Sequence, residues 1–324
     1  MAGLLFGMRT LENLFDLALK WQAEDGAAMA TVVETWGSAP RRAGSQMLVS
    51  ATGAMQGSVS GGCVEGAVVI EAMEAIATGA PRLLEYGVAD DHAFAAGLAC
   101  GGTIRILVEP AAQHLVDFAH AASLLAAGEA FAISTDLTTW DQIFSDDTSH
   151  HDLFAADRSA VVDGHFVHIF NRPLRLIVVG AVHIAQPLVQ MAQMAGYQPI
   201  IVDPREAFGN SDRFPGLTIY NDWPDTVLRD LAIDRRTAVV TLAHDPKIDD
   251  AALAIAVKSS AFYVGSLGSK RTHAKRVERL KRAGLDATEI ARIHGPVGLP
   301  IKAANPVEIA ISIIAQMTQI LRTP

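Results

Sequence analysis

The chain of 324 residues is half hydrophobic and clearly acidic, with 35 Asp and Glu against 26 Lys and Arg side chains and a formal net charge of −9. This length predicts about two domains, and the acidic balance argues against binding to nucleic acid or to a membrane surface, which requires basic patches. No apolar run approaches the roughly 20 residues of a membrane span, and the N-terminus lacks the pattern of a signal peptide. We therefore expect a cytoplasmic protein whose two cysteines are thiols rather than a disulfide.

The first part of the chain predicts a mixture of helices and strands. Leucine spacing indicates a helix over 11–23, and a second helix follows the first cysteine and ends at Gly79. Strands are expected in the apolar runs 29–36, 47–51, 81–88 and 101–110.

Residues 113–170 are expected to be a variable connecting segment, with a helix over 111–128, strands at 131–137 and 165–170, and an irregular acidic loop at 140–158. This segment also contains four histidines: His150, His151, His165 and His168. The spacing of these histidines does not match a zinc site, so we expect their side chains to be solvated. On a strand, the i, i+3 spacing of His165 and His168 places them on opposite faces.

The pattern changes at residues 171–173, after which buried strands alternate with helices. Such alternation predicts an α/β fold with a doubly wound parallel sheet. The change of pattern at 171–173 predicts two domains, an α+β domain over 1–170 and a Rossmann-like domain over 171–324. The last helix is expected to begin at Pro306, with Asn305 as its N-cap.

The turn VVGAVHIAQ (178–186) lies where a Rossmann fold carries its glycine-rich motif. Gly180 fits the first glycine, Val182 replaces the second and would crowd a pyrophosphate, and Asp203 stands where a ribose hydroxyl would be bound. NAD(P) binding and a Rossmann-like domain without a dinucleotide therefore both remain open.

Polar residues follow three predicted strands of the second half, at the sheet edge where such folds bind ligands. An anionic ligand such as a phosphate is one hypothesis, with His183 as a donor to it or to a pterin, and ordinary loop or helix-capping roles are the other. The candidates are Gly180, His183, His244, Gly265, Ser266, Gly268, Ser269 and Lys270.

Both cysteines lie beside paired glycines, in SGGCVEG (60–66) and GLACGG (97–102). Glycine turns expose backbone amides that hold an anion and lower the pKa of a thiol, and a thiolate is a soft metal ligand. Cys63 and Cys100 are thus candidate catalytic thiols and metal ligands, with Glu65 as a proton partner. The candidate anion-binding glycines are Gly61, Gly62, Gly101 and Gly102. Burial as small apolar side chains is the alternative for both thiols.

Arg41 and Arg42 lie in a Gly- and Ser-rich loop shortly before the first cysteine. Either they are exposed surface charges, or they clamp an anion, because arginine binds phosphate with two parallel hydrogen bonds.

The stretch TVVETWGSAPRRAGSQMLVSATGAMQGSVSGGCVEG, followed by GLACGGTIRILVEP, resembles the N-terminal domain of the xanthine dehydrogenase accessory (XdhC/CoxI-like) family. The second half is similar to the Rossmann domain of that family, in LRLIVVGAVHIA, VDPR, TLAHDPKID, YVGSLGSKR and RIHGPVGLPIKAANPVEIAISIIAQ. The resemblance covers nearly the whole chain except the middle segment. Val182 departs from the glycine of the family's GAGH turn.

The resemblance implies a chaperone that binds molybdenum cofactor and protects it while a cysteine desulfurase adds the terminal sulfur. It also implies delivery to a xanthine dehydrogenase-type molybdoenzyme. The family's cysteine and glutamate correspond to Cys63 and Glu65, and the second glycine-flanked cysteine is Cys100. An NAD(P)-dependent oxidoreductase and a non-catalytic adaptor between desulfurase and molybdoenzyme are alternatives. A homodimer is expected, as the commonest assembly.

Overall fold

The computed structural model describes residues 13–37, 41–87 and 102–323. The chain divides into two compact units, Met1–Arg172 and Pro173–Pro324. Among the described residues, no helix has the length and apolar character needed to cross a membrane. Two of the candidate site residues, Cys100 and Gly101, lie outside the described ranges.

Unit 1 contains a five-stranded antiparallel sheet in the order β3-β2-β1-β5-β4. Its strands are β1 (Ala27–Trp36), β2 (Gln46–Ser50), β3 (Met55–Gly57), β4 (Arg82–Tyr86) and β5 (Thr103–Pro110). Helix α1 (Leu14–Glu24) precedes the sheet, and α2 (Glu65–Thr78) packs on one face through Val68, Ala72 and Ala75. As expected, α2 ends at Gly79, which has a left-handed backbone (φ 69°).

The middle segment of unit 1 forms a second antiparallel sheet, in the order β7-β6-β9-β8. Its elements are α3 (Leu115–Ala127), β6 (Phe131–Asp136), β7 (Gln142–Ser145), α4 (His151–Ala156), β8 (Ala160–Val162) and β9 (His165–Phe170). The prediction of an irregular loop over 140–158 is therefore wrong. Phe144 stacks on Phe131 and Phe154 is buried, so aromatic packing outweighs the many acidic residues there.

His168 is a second correction, because it is buried rather than solvated. It lies on β9 with its ring 4.1 Å from that of Phe170 and against the backbone of Gly44. Burial lowers the pKa of His168 to about 3. His165 is partly exposed, so the expected placement of the two histidines on opposite faces is confirmed.

Unit 2 confirms the predicted doubly wound parallel sheet, with strand order β12-β11-β10-β13-β14-β15. The strands are β10 (Leu174–Val179), β11 (Tyr197–Val202), β12 (Thr218–Tyr220), β13 (Thr237–Thr241), β14 (Tyr263–Ser266) and β15 (Ile293–His294). The helices are α5 (Ala185–Met194), α6 (Pro224–Asp230), α7 (Pro246–Ala256), α8 (Lys270–Arg282), α9 (Ala287–Ala291) and α10 (Pro306–Arg322). Asn305 caps α10 as expected.

The core of unit 2 lies on both faces of the sheet. On one face, α5 and α10 form a cluster that includes Leu188, Ala310 and Ile313. On the other face, α7 and α8 form a cluster that includes Ile248 and Leu280. The strand order reverses between β10 and β13. In such sheets this reversal marks the position where a ligand binds at the carboxyl ends of the strands.

Replacing His168 with Gln tests the burial of this histidine. The unfolded histidine titrates near 6.5 and the folded one near 3, so its contribution to stability is lost as the pH falls from 6.5 towards 3. On acidification from pH 6.5 to 5, the wild type should lose up to about 1.4 kcal/mol per pH unit more than His168→Gln. Urea unfolding at several pH values measures this difference, and parallel curves for the two proteins would contradict it.

Candidate functional site

The loop that carries Cys63 runs from the end of β3 to the start of α2, and the carboxylate of Glu65 organises it. This carboxylate turns back over its own loop and accepts hydrogen bonds from the hydroxyls of Ser58 (2.7 Å) and Ser60. It also accepts hydrogen bonds from the backbone amides of Ser60 (2.9 Å), Gly61 (3.0 Å) and Gly62 (2.8 Å). One side chain therefore receives five donors from a single short loop.

Two further amides of the loop are also satisfied within it. The hydroxyl oxygen of Ser60 accepts hydrogen bonds from the amides of Cys63 (3.0 Å) and Val64 (2.9 Å). Gly61 (φ 80°) and Gly62 (φ 118°) adopt the left-handed conformations that turn their amides inward. The predicted anion-binding nest exists, but the anion that fills it is Glu65, so these glycine amides are not free for an external ligand.

Glu65 is buried yet ionised. Burial alone would raise its pKa, but the hydrogen bonds from Ser60, Ser58 and the loop amides outweigh it and lower the pKa to about 2. A carboxylate this acidic does not exchange protons near neutral pH, so the structure gives Glu65 a positioning role in place of the expected proton partner. The loop it holds presents Cys63 as an exposed free thiol.

The segment of the second cysteine begins and ends at the same edge of the five-stranded sheet. β1 ends and β5 begins there, since Trp36 pairs with Thr103. β3 ends elsewhere, opposite Met47, which pairs with Ala30 of β1, six residues before Trp36. Gly87, just after β4, lies against Thr103, because a Cβ at Gly87 would be 2.9 Å from its Oγ1. The chain thus leaves the sheet at Gly87 and returns at buried Gly102 on this edge. A site shared by Cys63 and Cys100 stays a prediction.

An arginine cleft opens on the face of the five-stranded sheet opposite α2. Arg41 and Arg42 come from the loop after β1, and Arg158 comes from the turn between α4 and β8. We use the name arginine cleft for the space lined by Val33, Glu34, Thr35, Trp36, Gly37, Arg41, Arg42, Ala43, Arg158, Ser159, Ala160 and Val161. Cys63 is not among these described lining residues.

The three guanidinium groups have no carboxylate partner within the described residues. Glu34, the acidic residue of the lining, is paired with Arg105 at 2.5 Å. Sequence reasoning found Arg41 and Arg42 but missed Arg158. The sequence around Arg158 does not indicate this position, because only the packing of β1 near β8 brings Arg158 close to Arg41 and Arg42.

In unit 2, the glycine turn after β10 is closed by the chain itself. A Cβ on Gly180 (φ 103°) would overlap the amide nitrogen of Ala243, so the ends of β10 and β13 pack directly together. This contact falls at the strand-order reversal, where a dinucleotide would approach. Gly180 therefore has a packing role here.

In the structure Asp203 is paired with Arg205, and its role in binding a ribose hydroxyl stays a prediction. Asp203 is fully buried, and one of its oxygens accepts from the amide of Ala181 (2.7 Å) and from Nη2 of Arg205 (2.8 Å). The other oxygen accepts from the amide and Nε of Arg205, at 3.0 and 2.8 Å. Burial would raise the pKa of Asp203, but Arg205 and the Ala181 amide lower it. Both oxygens are occupied by donors of the chain.

Three further candidates of unit 2 are engaged in packing or helix capping. Ser266 is fully buried with its hydroxyl 2.5 Å from that of Thr241, and a Cβ on Gly265 would lie 2.6 Å from the side chain of Val297. Ser269 caps α8 by accepting from the Thr272 amide at 3.1 Å. Neither Ser266 nor Gly265 is placed to contact a ligand.

Four candidates near these strand ends remain at the surface or in turns. His244 (φ 60°) and Lys270 are exposed, and Gly268 (φ 147°) lies against Thr272. His183 is exposed at the start of α5, in a shallow depression formed with the start of α10. The described lining of that depression includes neither His244 nor residues 265–270.

Sequence reasoning also missed two buried charged groups beside the strand-end loops. Asp249 accepts from the Ala243 amide (3.1 Å), and Arg276, only 2% exposed, donates to the carbonyl of Leu267 (2.7 Å). Burial raises the pKa of Asp249 to about 7, against the opposing charge of Arg276. Asp249 thus holds loop 243–245 and Arg276 holds loop 267–269, while Nε and Nη1 of Arg276 have no hydrogen-bond partner among the described residues.

Replacing Glu65 with Gln tests the organisation of the Cys63 loop. The side-chain NH₂ of Gln would face the backbone N–H and hydroxyl donors that now bind the Glu65 carboxylate. The unfolding free energy should therefore fall by about 1–3 kcal/mol. Hydrogen exchange of the amides of residues 60–64 should accelerate selectively. Glu74→Gln, on the exposed side of the same helix, is the matched control. The wild type alone should lose this stabilisation as the pH falls from 4.5 towards 2. Unchanged exchange in Glu65→Gln would contradict this role.

Asp203→Asn tests the closed turn of unit 2. The substitution should lower the unfolding free energy by about 1–3 kcal/mol, because the new amide faces the donors of Ala181 and Arg205. Millimolar NAD(H) or NADP(H) should not raise the melting temperature of either protein, whereas a bound dinucleotide would stabilise the folded state. A dinucleotide-dependent rise that Asp203→Asn abolishes would restore the ribose-binding role.

Family models and known proteins match the chain over most of its length. The model of the XdhC Rossmann domain matches residues 176–317, and the model of the XdhC and CoxI family matches residues 20–87. Molybdenum cofactor insertion chaperone PaoD of Escherichia coli is 29% identical over 297 residues, which cover 91% of this chain and 83% of PaoD. A probable xanthine dehydrogenase subunit from Bacillus subtilis is 28% identical, over 96% of this chain and 98% of its own length.

A solved structure supports the same relationship at the level of the fold. The crystal structure of a xanthine dehydrogenase from Bacillus halodurans matches with a TM-score of 0.77 and 28% identity, covering 95% of each chain. The two family models together account for more than half of the residues, and Cys63 lies within the segment that the XdhC and CoxI model matches. The chain belongs to the XdhC and CoxI family.

Proposed function

We propose that this protein is a molybdenum cofactor chaperone that binds the cofactor as cargo, protects it during sulfuration and delivers it to a xanthine dehydrogenase-type enzyme. PaoD is named as a molybdenum cofactor insertion chaperone, and the Bacillus subtilis relative as part of a probable xanthine dehydrogenase. The observation that carries the proposal is the exposed Cys63 thiol on a loop ordered by Glu65.

The residues of unit 1 fit this cargo chemically. A thiolate is a soft ligand suited to a transition metal, and the loop holds Cys63 in place before the cargo arrives. The proposal retains Cys100 as a second thiol. The proposal extends to a homodimer as the assembly.

Sulfur transfer belongs to the same proposal, with a cysteine desulfurase as the donor. The Cys63 thiolate attacks the outer sulfur of the desulfurase persulfide, the sulfur–sulfur bond breaks, and the desulfurase thiolate leaves. Exposure of Cys63 permits this encounter between two proteins. Glu65, held ionised, takes no proton in the step and keeps the loop in position.

An NAD(P)-dependent oxidoreductase finds no support in unit 2. The oxygens of Asp203 are occupied, Val182 stands where a glycine would admit a pyrophosphate, and Gly180 is closed against Ala243. A non-catalytic adaptor makes a different prediction from a chaperone, because it would bind both partner proteins without retaining cofactor.

Cofactor retention by cysteine variants tests the chaperone. Wild type, Cys63→Ser, Cys100→Ser and the double variant are loaded with molybdenum cofactor without oxygen, passed through a desalting column and analysed for molybdenum and pterin. Cys63→Ser should retain at least about tenfold less cofactor, as expected for loss of a metal contact. Its unfolding free energy should stay within about 0.5 kcal/mol of wild type, because the side chain is exposed.

Activation of an apo-molybdoenzyme by the loaded proteins measures delivery in the same samples. Unchanged retention and delivery by the double variant would exclude a thiol role. Wild-type protein that retains no cofactor yet captures both desulfurase and molybdoenzyme would support the adaptor and contradict the chaperone.

A further inference from the structure

We propose that the arginine cleft of unit 1 binds the phosphate ester at the tail of the cofactor's pterin. This rests on the proposed function, and it assigns to Arg41, Arg42 and Arg158 the end of the cargo that carries no metal. Arg158 lies outside both matched family segments.

Charge is the first argument. The chain has a net charge of −9, yet three guanidinium groups line one cleft with no carboxylate partner among the described residues. Glu34 does not neutralise them, because its carboxylate is engaged by Arg105. Clustered like charges repel each other, and a bound dianion removes that repulsion. Phosphate also matches the planar donor fork of arginine.

The second argument is that the cleft is built on buried, packed elements. Val33 of β1 and Phe166 of β9 are buried in one cluster, with Ala43 and Val161 packed against it. The hydroxyl of Ser159, next to Arg158, accepts from the Ile169 amide at 3.0 Å and fixes the turn. These contacts hold the walls of the cleft before a ligand arrives, which lowers the entropy cost of binding, and Arg41, Arg42 and Arg158 are exposed on them.

The third argument concerns the other anion sites that the sequence offered. The glycine nest before α2 is filled by Glu65. In unit 2, Ser266 is buried against Thr241. Of the candidate anion-binding residues that the structure describes, the arginines are the group that combines several positive charges with one shared cleft.

Trp36 supplies a second kind of contact at the same cleft. Its indole is 46% exposed among the lining residues, at the end of β1. A large exposed aromatic ring beside an anion site suits a flat heterocycle that carries a phosphate, because the ring stacks while the arginines hold the charge. The two contacts are separable by experiment.

The probes are the fluorescent oxidised pterin obtained from molybdenum cofactor and the same pterin after removal of its phosphate. Wild type should bind the phosphorylated probe more tightly than the dephosphorylated one. Each of Arg41→Ala, Arg42→Ala and Arg158→Ala should weaken binding of the phosphorylated probe about tenfold and leave the other probe unchanged. Trp36→Leu should weaken binding of both probes by a similar factor. Inorganic phosphate should compete only with the phosphorylated probe.

Lys20→Ala is the charge-matched control, since Lys20 is an exposed residue of α1 in the same unit and should not change binding. Thermal unfolding of each variant confirms that it is folded. Equal affinity of wild type for the two probes, or loss of discrimination in Lys270→Ala but not in Arg158→Ala, would overturn the proposal.

Failure of this inference is distinguishable from failure of the chaperone function. Retention of whole cofactor that depends on Cys63 but not on the phosphate would leave the chaperone intact and contradict the arginine assignment. Discrimination between the two probes without retention of whole cofactor would support the arginine assignment and contradict the chaperone.

Discussion

The candidate site of unit 1 depends on one buried negative charge. The carboxylate of Glu65 satisfies three consecutive backbone amides and two hydroxyls, and the Ser60 hydroxyl satisfies the next two amides. Without an acceptor there, the paired glycines would leave several donors unsatisfied beside a hydrophobic core, at a cost for each. Gly61 and Gly62 supply the backbone freedom, and Glu65 converts that freedom into one fixed conformation that ends at Cys63.

Unit 1 combines a thiol and a group of guanidinium side chains. The thiol lies at the start of α2, which packs on one face, and the arginine cleft opens on the other face beside the second sheet. In the proposed site, the soft sulfur and the guanidinium groups would select opposite ends of a molecule that joins a metal to a phosphate.

Sequence periodicity predicted the parallel sheet of unit 2, because buried strands in such a sheet are continuous Val, Ile and Leu runs. It missed β12 and β15, which have three and two residues and are too short to show a period. It also misjudged 140–158, where local composition is acidic but two phenylalanines pack into the core. Tertiary packing decided that segment.

Among the site residues, the sequence located Cys63 and Arg41–Arg42 but not their surroundings. Glu65 has its role because its carboxylate folds back over the preceding loop. The two serines of that loop, Ser58 and Ser60, were the sequence feature that could have indicated this. Asp203 fitted a spacing rule, but Arg205 two residues later was the sign that its charge was already matched. Arg158 reaches the cleft only through contact between two sheets, which no local pattern records.

The closed turn at Gly180 has a consequence for how unit 2 behaves in a cell. A nucleotide-binding domain of this topology is normally coupled to the supply of its ligand, since occupancy adds to its stability and shifts its conformational ensemble. In the structure, Ala243 and the Asp203–Arg205 pair occupy that place. At this position the contacts that stabilise unit 2 come from its own side chains.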